Sequence, residues 1–277
     1  MKIKVYSPLN PLLKKYIESI YILTHTSEER PAKYITFPSI FTIVSISEKS
    51  KTINKGNKLI IRQCDENKIE TNLVSNFNKP VYVQYEGEIN EITIYFKPLA
   101  ISSFLKHELS HYNSSGFSEF SPFEDYRKAM IEILSLQSDT EKIQAVESYW
   151  LSKLTGFQHN FLETVLSEIM CEENAALTIE ELCKKNAISR TTLNKHFGRH
   201  ICKTPSQFKK ILRFRNAVNK YSSDNAGKKL TDIAYGVDYF DQSHMIREFK
   251  SVTGFSPKVF FKKTTALEKK QIHWLFL

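Results

Sequence analysis

His107, Glu108 and His111 fall in the order H-E-x-x-H within the run His107-Glu108-Leu109-Ser110-His111. On a helix, residues four apart share a face, so the two imidazoles could hold a zinc ion and Glu108 could serve as a general base for metal-assisted hydrolysis. That chemistry needs a third ligand on a neighbouring element. The acids that follow, Glu119 and Glu124, stand in a Ser/Pro-rich stretch and not on a second ligand helix. The motif is short and recurs by chance, so the expectation is an ordinary surface helix with no metal and no cofactor. A metal-dependent hydrolase centred on His107 and His111 is the alternative.

Other signatures of catalysis are missing. The sequence holds no G-x-x-x-x-G-K-[ST], G-x-G-x-x-G or G-x-S-x-G, which removes the nucleotide-fold and serine-hydrolase readings. Cys64, Cys171, Cys183 and Cys202 form no C-x-x-C pair, as expected of thiols in a reducing cytoplasm. No secretory leader and no apolar run of membrane-spanning length is visible. His25, His159 and His273 look isolated and are read as structural or surface residues. No catalytic residue is assigned, and an enzyme is not expected.

Charge points elsewhere. The 277 residues are 41% hydrophobic and 25% charged, a globular balance, with a net charge of +9. Residues 157–277 carry 20 Lys+Arg against 12 Asp+Glu, whereas residues 1–156 carry 19 against 18. An excess confined to one part of a chain suits a polyanion, most often nucleic acid.

The elements that would position such charges follow from periodicity. Pro11 to Leu23 has apolar residues at helical spacing and is expected to be a helix. Residues 34–47, 57–63, 81–88 and 90–98 are β-rich runs parted by turn residues, as in an antiparallel sheet or barrel. Helical patterns take over from Leu99, at 123–136 and at 140–154, the latter with Asp139 as N-cap. No further strand is expected after about residue 98. Ile143, Val146, Trp150 and Leu154 form an apolar stripe that needs a partner, a second copy of the chain being expected and packing within its own domain the alternative. Further helices are expected at 161–170, from Thr178 with a T-x-x-E capping box, from Pro205 to Tyr221, and from Thr231 beyond an Asp224–Gly227 loop.

The C-terminal part repeats at a period of about 52 residues. HFGRHICKTPSQF (196–208) lies over EFKSVTGFSPKVF (248–260), matching Phe197 with Phe249, Pro205 with Pro257 and Phe208 with Phe260. Upstream, Leu182-Cys183 lies over Ile233-Ala234, which makes Cys183 a core position. In each copy one helix face is apolar (Leu193, Phe197, His200; Met245, Phe249, Val252). The other carries polar and basic groups, among them Lys195 and Arg247. That division suits a helix docked in a DNA major groove.

The stretches ISRTTLNKHFGRHICKTPSQFKKILRFRNAV and DIAYGVDYFDQSHMIREFKSVTGFSPKVFFKK resemble the DNA-binding domain of AraC/XylS-type transcriptional regulators, over roughly residues 160–263. Ala187 and Asp238 replace the family's turn glycines, and Phe240 replaces a small polar residue, leaving Asp241 to cap the second recognition helix. EITIYFKPLAISSFL (91–105) and PLNPLLKKYIESIYIL more weakly resemble the family's sensor domains. The resemblance implies two helix–turn–helix units joined by a long helix, and a β-rich, often cupin-like domain that senses a small molecule or mediates dimerisation.

The expected fold class is α+β. Residues 1–156 form an N-terminal sensor and dimerisation domain, β-rich over 1–105 and helical over 106–156. Residues 157–265 form the all-α DNA-binding domain, and 266–277 a C-terminal tail. Recognition helices at about 190–200 and 241–252 would read successive major grooves about 34 Å apart. Base-reading candidates are Arg190, Thr191, Asn194, Lys195, Gln242, Ser243, His244 and Arg247, with Asn194 suited to adenine, Arg247 to guanine and Ile246 to a thymine methyl. Backbone candidates are Lys203, Thr204, Ser206, Lys209, Lys250, Ser256, Lys258 and Lys262. Expected partners are double-stranded DNA, a small-molecule effector, a second copy of the chain and, for an activator, RNA polymerase; no membrane contact is expected. A non-specific nucleic-acid packing protein is a further alternative, distinguished by having no preferred site.

Overall fold

Two-residue alternation and β-branched side chains build strands through most of the N-terminal part. The computed structural model describes residues 1–66, 68–113, 116–174, 176–223, 239, 241–263, 265–266 and 273–277. In chain order the strands are β1 Lys2–Tyr6, β2 Ile17–His25, β3 Ala32–Thr36, β4 Thr42–Glu48, β5 Ser50–Asn54, β6 Lys58–Gln63, β7 Ile69–Val74, β8 Val81–Glu86, β9 Ile89–Phe96, β10 Phe117–Glu119, β11 Thr265–Ala266 and β12 His273–Phe276. They form two six-stranded sheets, ordered β1-β2-β9-β4-β7-β10 and β11-β12-β3-β8-β6-β5. The pairings are antiparallel except β6 with β8.

β9 shows how the layers stack. Ile92, Ile94 and Phe96 enter one core, shared with the helices, while Tyr95 enters another, shared with the second sheet. Both faces are covered, so all but Asn90 of Ile89–Phe96 is buried. The helices on the outer face are α1 Leu109–Tyr112, α2 Tyr126–Ser135 and α3 Asp139–Ser152. Trp150 of α3 meets Phe96 at 4.8 Å and Phe104 at 5.4 Å between ring centroids, both edge-on.

After α4 Leu162–Met170 come α5 Ile179–Lys185, α6 Arg190–Ile201, α7 Pro205–Ser223, α8 Gln242–Thr253 and α9 Pro257–Lys263. The helix expected from Thr231, the Asp224–Gly227 loop, the Ile233-Ala234 match and the substitutions at Asp238 and Phe240 lie outside the described residues. So does the side chain of His273. Among the described residues, no helix is long and apolar enough to cross a membrane.

Four expectations are corrected. The helix expected over Pro11–Leu23 is a 3-10 turn at Leu13–Lys15 followed by strand β2. A strand buried on both faces has too many apolar residues for spacing to distinguish it from a helix. Ile143, Val146 and Trp150 are buried against their own domain, so the stripe on α3 gives no surface for a second copy. Ser138, not Asp139, is the N-cap of α3; Asp139 instead accepts from Lys4 Nζ at 2.6 Å and Tyr6 Oη at 2.9 Å. Strands do recur after residue 98, at β10, β11 and β12. β12 turns the expected tail into a part of the N-terminal sheet, with Trp274 opposite Thr36, Leu275 opposite Ile35 and Phe276 opposite Tyr34.

Candidate functional site

The polar helix faces are set by capping and by what lies beneath them. Thr178 and Glu181 form the expected capping box at the start of α5. The chain then turns through Ala187, whose φ of 51° is left-handed, as the missing turn glycine led one to expect. Ser189 caps α6 by accepting from the Thr192 N–H at 3.0 Å. Asp241 caps α8 in the same way, accepting from the His244 N–H at 2.6 Å.

The internal repeat is visible in the packing. Phe197 meets Phe208 at 6.1 Å and 79°, and Phe249 meets Phe260 at 5.8 Å and 83°. α7 serves both units, with Phe208 and Ile211 in the core of α6 and Phe214 and Val218 in that of α8. Arg213 grips Glu248 with two donors, at 3.2 and 2.6 Å, tying α7 to α8.

Above these cores, Arg190, Thr191, Asn194 and Lys195 are exposed on α6. Ser243, Arg247 and Lys250 are exposed on α8, with Gln242 and Ile246 half-buried beside them. His244 is half-buried, its Nε2 3.5 Å from Glu248 and its ring edge-on to Tyr239. Ser206, Lys258 and Lys262 are exposed and Ser256 is half-buried. Thr204 is exposed, but its hydroxyl accepts from the Gln207 N–H at 3.2 Å and so caps α7.

Two of the expected phosphate contacts are corrected. Lys203 is only 4% exposed and its ammonium donates to the Ser75 carbonyl; burial pushes its pKa down to about 8. Lys209 is 7% exposed and donates to the Leu177 carbonyl. Lys203 ties the loop between α6 and α7 to Ser75 in the β-rich part, Lys209 ties α7 to the segment before α5, and neither side chain faces outward.

The H-E-x-x-H motif brings the His107 and His111 rings to 4.6 Å between centroids, but among the described residues no third ligand joins them. α1 begins at Leu109, so His107 precedes the helix. The Glu108 carboxylate instead pairs with Arg199 Nη1 at 3.2 Å. His159 is not isolated: its Nε2 lies 2.9 Å from Nδ1 of His196. His25 is structural, with its ring nitrogens against the Gly87 and Arg30 carbonyls at 2.6 and 3.1 Å. Cys183 is buried in the core of the first unit, as the repeat implies.

A second feature was not read from the sequence. A cavity between the two sheets is lined by Tyr21, Tyr34, Tyr85, Glu91, Tyr95 and Trp274, among others. Glu91 is buried and accepts from Tyr21 Oη at 3.1 Å, Tyr85 Oη at 3.0 Å and Thr93 Oγ1 at 2.8 Å. Burial pushes its pKa up, and the three hydroxyls oppose that rise by favouring the charged form. Among the described residues lining the cavity, none is basic. Trp274 of β12 stacks on Tyr34 with ring centroids 3.9 Å apart.

Residues 182–263 match the family model described as a helix-turn-helix domain. No curated protein matches the chain by sequence. Among solved structures, the chain is similar to ToxT from Vibrio cholerae in a P21 crystal form, at 9% identity and TM-score 0.46, covering 95% of this chain and 98% of that one. Unsaturated fatty acid bound wild-type ToxT from Vibrio cholerae strain SCE256 is similar at 14% identity and TM-score 0.43, covering 86% and 94%. ToxT from Vibrio cholerae O395 bound to (E)-4-(8-methylnaphthalen-1-yl)but-3-enoic acid is similar at 11% identity and TM-score 0.43, covering 95% and 99%.

Proposed function

We propose that this chain is an AraC-type transcriptional regulator and that its helix-turn-helix domain, matched over residues 182–263, reads duplex DNA through the outward faces of α6 and α8. One observation supports this reading above the rest. Two capped helices of one repeat each bury a Phe and an aliphatic residue, and each leaves hydrogen-bonding and basic groups outside. Arg190, Thr191, Asn194 and Lys195 would meet one groove segment, and Gln242, Ser243, His244 and Arg247 the next. Lys250, Lys258 and Lys262, with Thr204, Ser206 and Ser256, would meet phosphates. The chain performs no chemistry in this reading. Its output is occupancy of a site and, for an activator, recruitment of RNA polymerase.

The experiment is selection of bound duplexes from a random library by the full chain, at two salt concentrations. Two short motifs about 10–10.5 bp apart are expected, with affinity falling steeply as salt rises. Equal retention of all sequences would mean a packing protein instead.

The signal that biases occupancy enters, in this reading, through the cavity between the sheets. An aromatic lining around one buried carboxylate suits a small, largely apolar molecule bearing a donor or a positive charge. Thermal-shift measurements with matched amines and carboxylates check this. Amines should stabilise the wild type, and Glu91→Gln should remove the effect. A preference for the carboxylates would reject this assignment of the ligand class.

A further inference from the structure

Three histidines meet where the segment before α4 crosses the C-terminal half of α6. His196 and His200 are one helical turn apart on α6, with ring planes within 8° of parallel. His159 comes from the segment before α4, its ring centroid 4.6 Å from that of His196 and 5.6 Å from that of His200. One nitrogen from each ring lies within 4.8 Å of the others. Nδ1 of His200 is buried and has no hydrogen-bond partner. A polar atom sealed from water without a partner is costly to the fold and calls for an explanation.

We propose that His159, His196 and His200 bind a divalent transition cation of the Zn2+ class, with water completing the shell. Three imidazoles are a donor set for such ions, and not for the hard cations that take oxygen. Zinc–nitrogen bonds of about 2.0–2.1 Å put tetrahedral donors about 3.3 Å apart. The 2.9 Å between His159 and His196 is already close to that. The three nitrogens lie within 4.8 Å of one another, so adjustment on the order of an ångström would bring them to that separation.

The surroundings fit the same assignment. A ligating histidine turns its other nitrogen to a carboxylate or carbonyl, which fixes the ring. With Nδ1 of His200 on the ion, its Nε2 faces the Glu108 carboxylate, 4.0 Å away. Nδ1 of His159 now accepts from the Leu162 N–H at 3.3 Å and the Phe161 N–H at 3.5 Å, so ligation through Nε2 moves the ring proton to Nδ1 and gives up these two long contacts. Glu163 holds the segment in place, its carboxylate accepting from the His159 backbone N–H at 3.1 Å. Phe157 and Phe161 pack on the rings and limit solvent around them.

The bound ion would join residue 159, ahead of the helix-turn-helix domain, to the helix carrying Asn194 and Lys195. Metal occupancy would then fix the orientation of one recognition helix.

The test uses the full chain with Zn2+ alone, measured by competition against a chromophoric chelator, and Co2+ alone, read by visible absorption. The expected result is one equivalent per chain and the absorption of tetrahedral, nitrogen-rich cobalt. His159→Gln and His196→Gln should each weaken zinc at least about 100-fold, the upper end of what loss of a mere outer-shell partner costs. His107→Ala with His111→Ala should leave zinc binding unchanged. Imidazole nitrogen NMR shifts of the wild type, with and without Zn2+, read the ligands without any substitution. No saturable binding by the wild type, or shifts confined to rings other than these three, would overturn the proposal. Either outcome is independent of whether the chain selects a DNA sequence.

Discussion

The guanidinium of Arg215 donates to the Phe37 carbonyl at 2.7 Å and to the Pro38 carbonyl at 2.9 Å, spanning 178 and 177 positions of sequence. Arg215 belongs to α7, which packs in the cores of both α6 and α8, and Phe37 lies between β3 and β4. The Phe37 ring in turn packs edge-on against Phe260 of the second unit, at 4.9 Å. The β-rich part and the helical part thus pack together around buried cations, Arg215 here and Lys203 against Ser75. Burial lowers the pKa of Arg215 to about 10, which still leaves it charged at neutral pH.

Arg215→Met leaves two buried carbonyls without their donor. The expected loss of stability is about 2–4 kcal/mol, since each stranded buried group costs about 1–3 kcal/mol and packing by Met returns a part. Arg215→Lys should recover little, because an ammonium lacks the planar fork. Urea unfolding followed by circular dichroism measures both, and an unchanged midpoint for Arg215→Met would show that the contact contributes nothing.

Arg247→Ala and Lys258→Ala should weaken DNA binding in different ways. Both side chains are exposed. A guanidinium on the outer face of α8 can pair with guanine O6 and N7, so its loss should cost about 1–3 kcal/mol and relax one base pair. Loss of Lys258 should weaken all sequences alike and reduce the salt slope by about one. Competition against single-base variants at two salt concentrations separates the two. Uniform weakening by Arg247→Ala would assign that residue to a phosphate.

Lys203→Met should leave the DNA salt slope unchanged, because the ammonium points at Ser75 and not outward. It should also change how stability depends on pH. The folded pKa of about 8 lies below the ordinary 10.5, so the unfolded chain binds more protons between those values. Wild-type stability must then rise with pH across that window relative to Lys203→Met. The variant's advantage, about 1–3 kcal/mol at pH 7, should be constant below pH 8 and close toward pH 10.5. Thermal melts from pH 6 to 10 give the difference curve, and a flat one would mean that Lys203 carries no such penalty.

Ala187→Gly should raise stability by about 0.5–1 kcal/mol. A left-handed residue with a Cβ costs about 1–2 kcal/mol, and glycine's greater freedom in the unfolded chain returns a part. A lower melting temperature would show that the turn at φ 51° is not strained.

The repeated packing around α6 and α8 was legible because repetition does not depend on context. Phe197/Phe208 and Phe249/Phe260 recur at one spacing and pack alike, and the caps at Thr178 and Asp241 are local chemistry. The cavity was not legible. In β9 the sequence alternates Glu91, Thr93 and Tyr95 with Ile92, Ile94 and Phe96, the pattern of a strand with one wet face. Here the more polar face looks into the molecule and is sheltered by the second sheet. Lys203 and Lys209 misled for a related reason, since charge is read from composition whereas burial is set by tertiary packing. The histidine cluster joins positions 159, 196 and 200 through a chain reversal whose geometry no local spacing encodes.

Tyr34 and Trp274 stack face to face although 240 positions separate them. Closing so long a loop carries a large entropic cost before any contact repays it, and pairings of this kind form late and slowly. β12 should therefore dock on β3 only after the strands between them have collapsed, and the aromatic wall of the cavity would be the last part of the sheet to mature. The chain has two tryptophans, Trp150 packed among the early helices and Trp274 in that wall. Refolding should show them as two fluorescence phases, and the slower one times the closing of the cavity between the sheets.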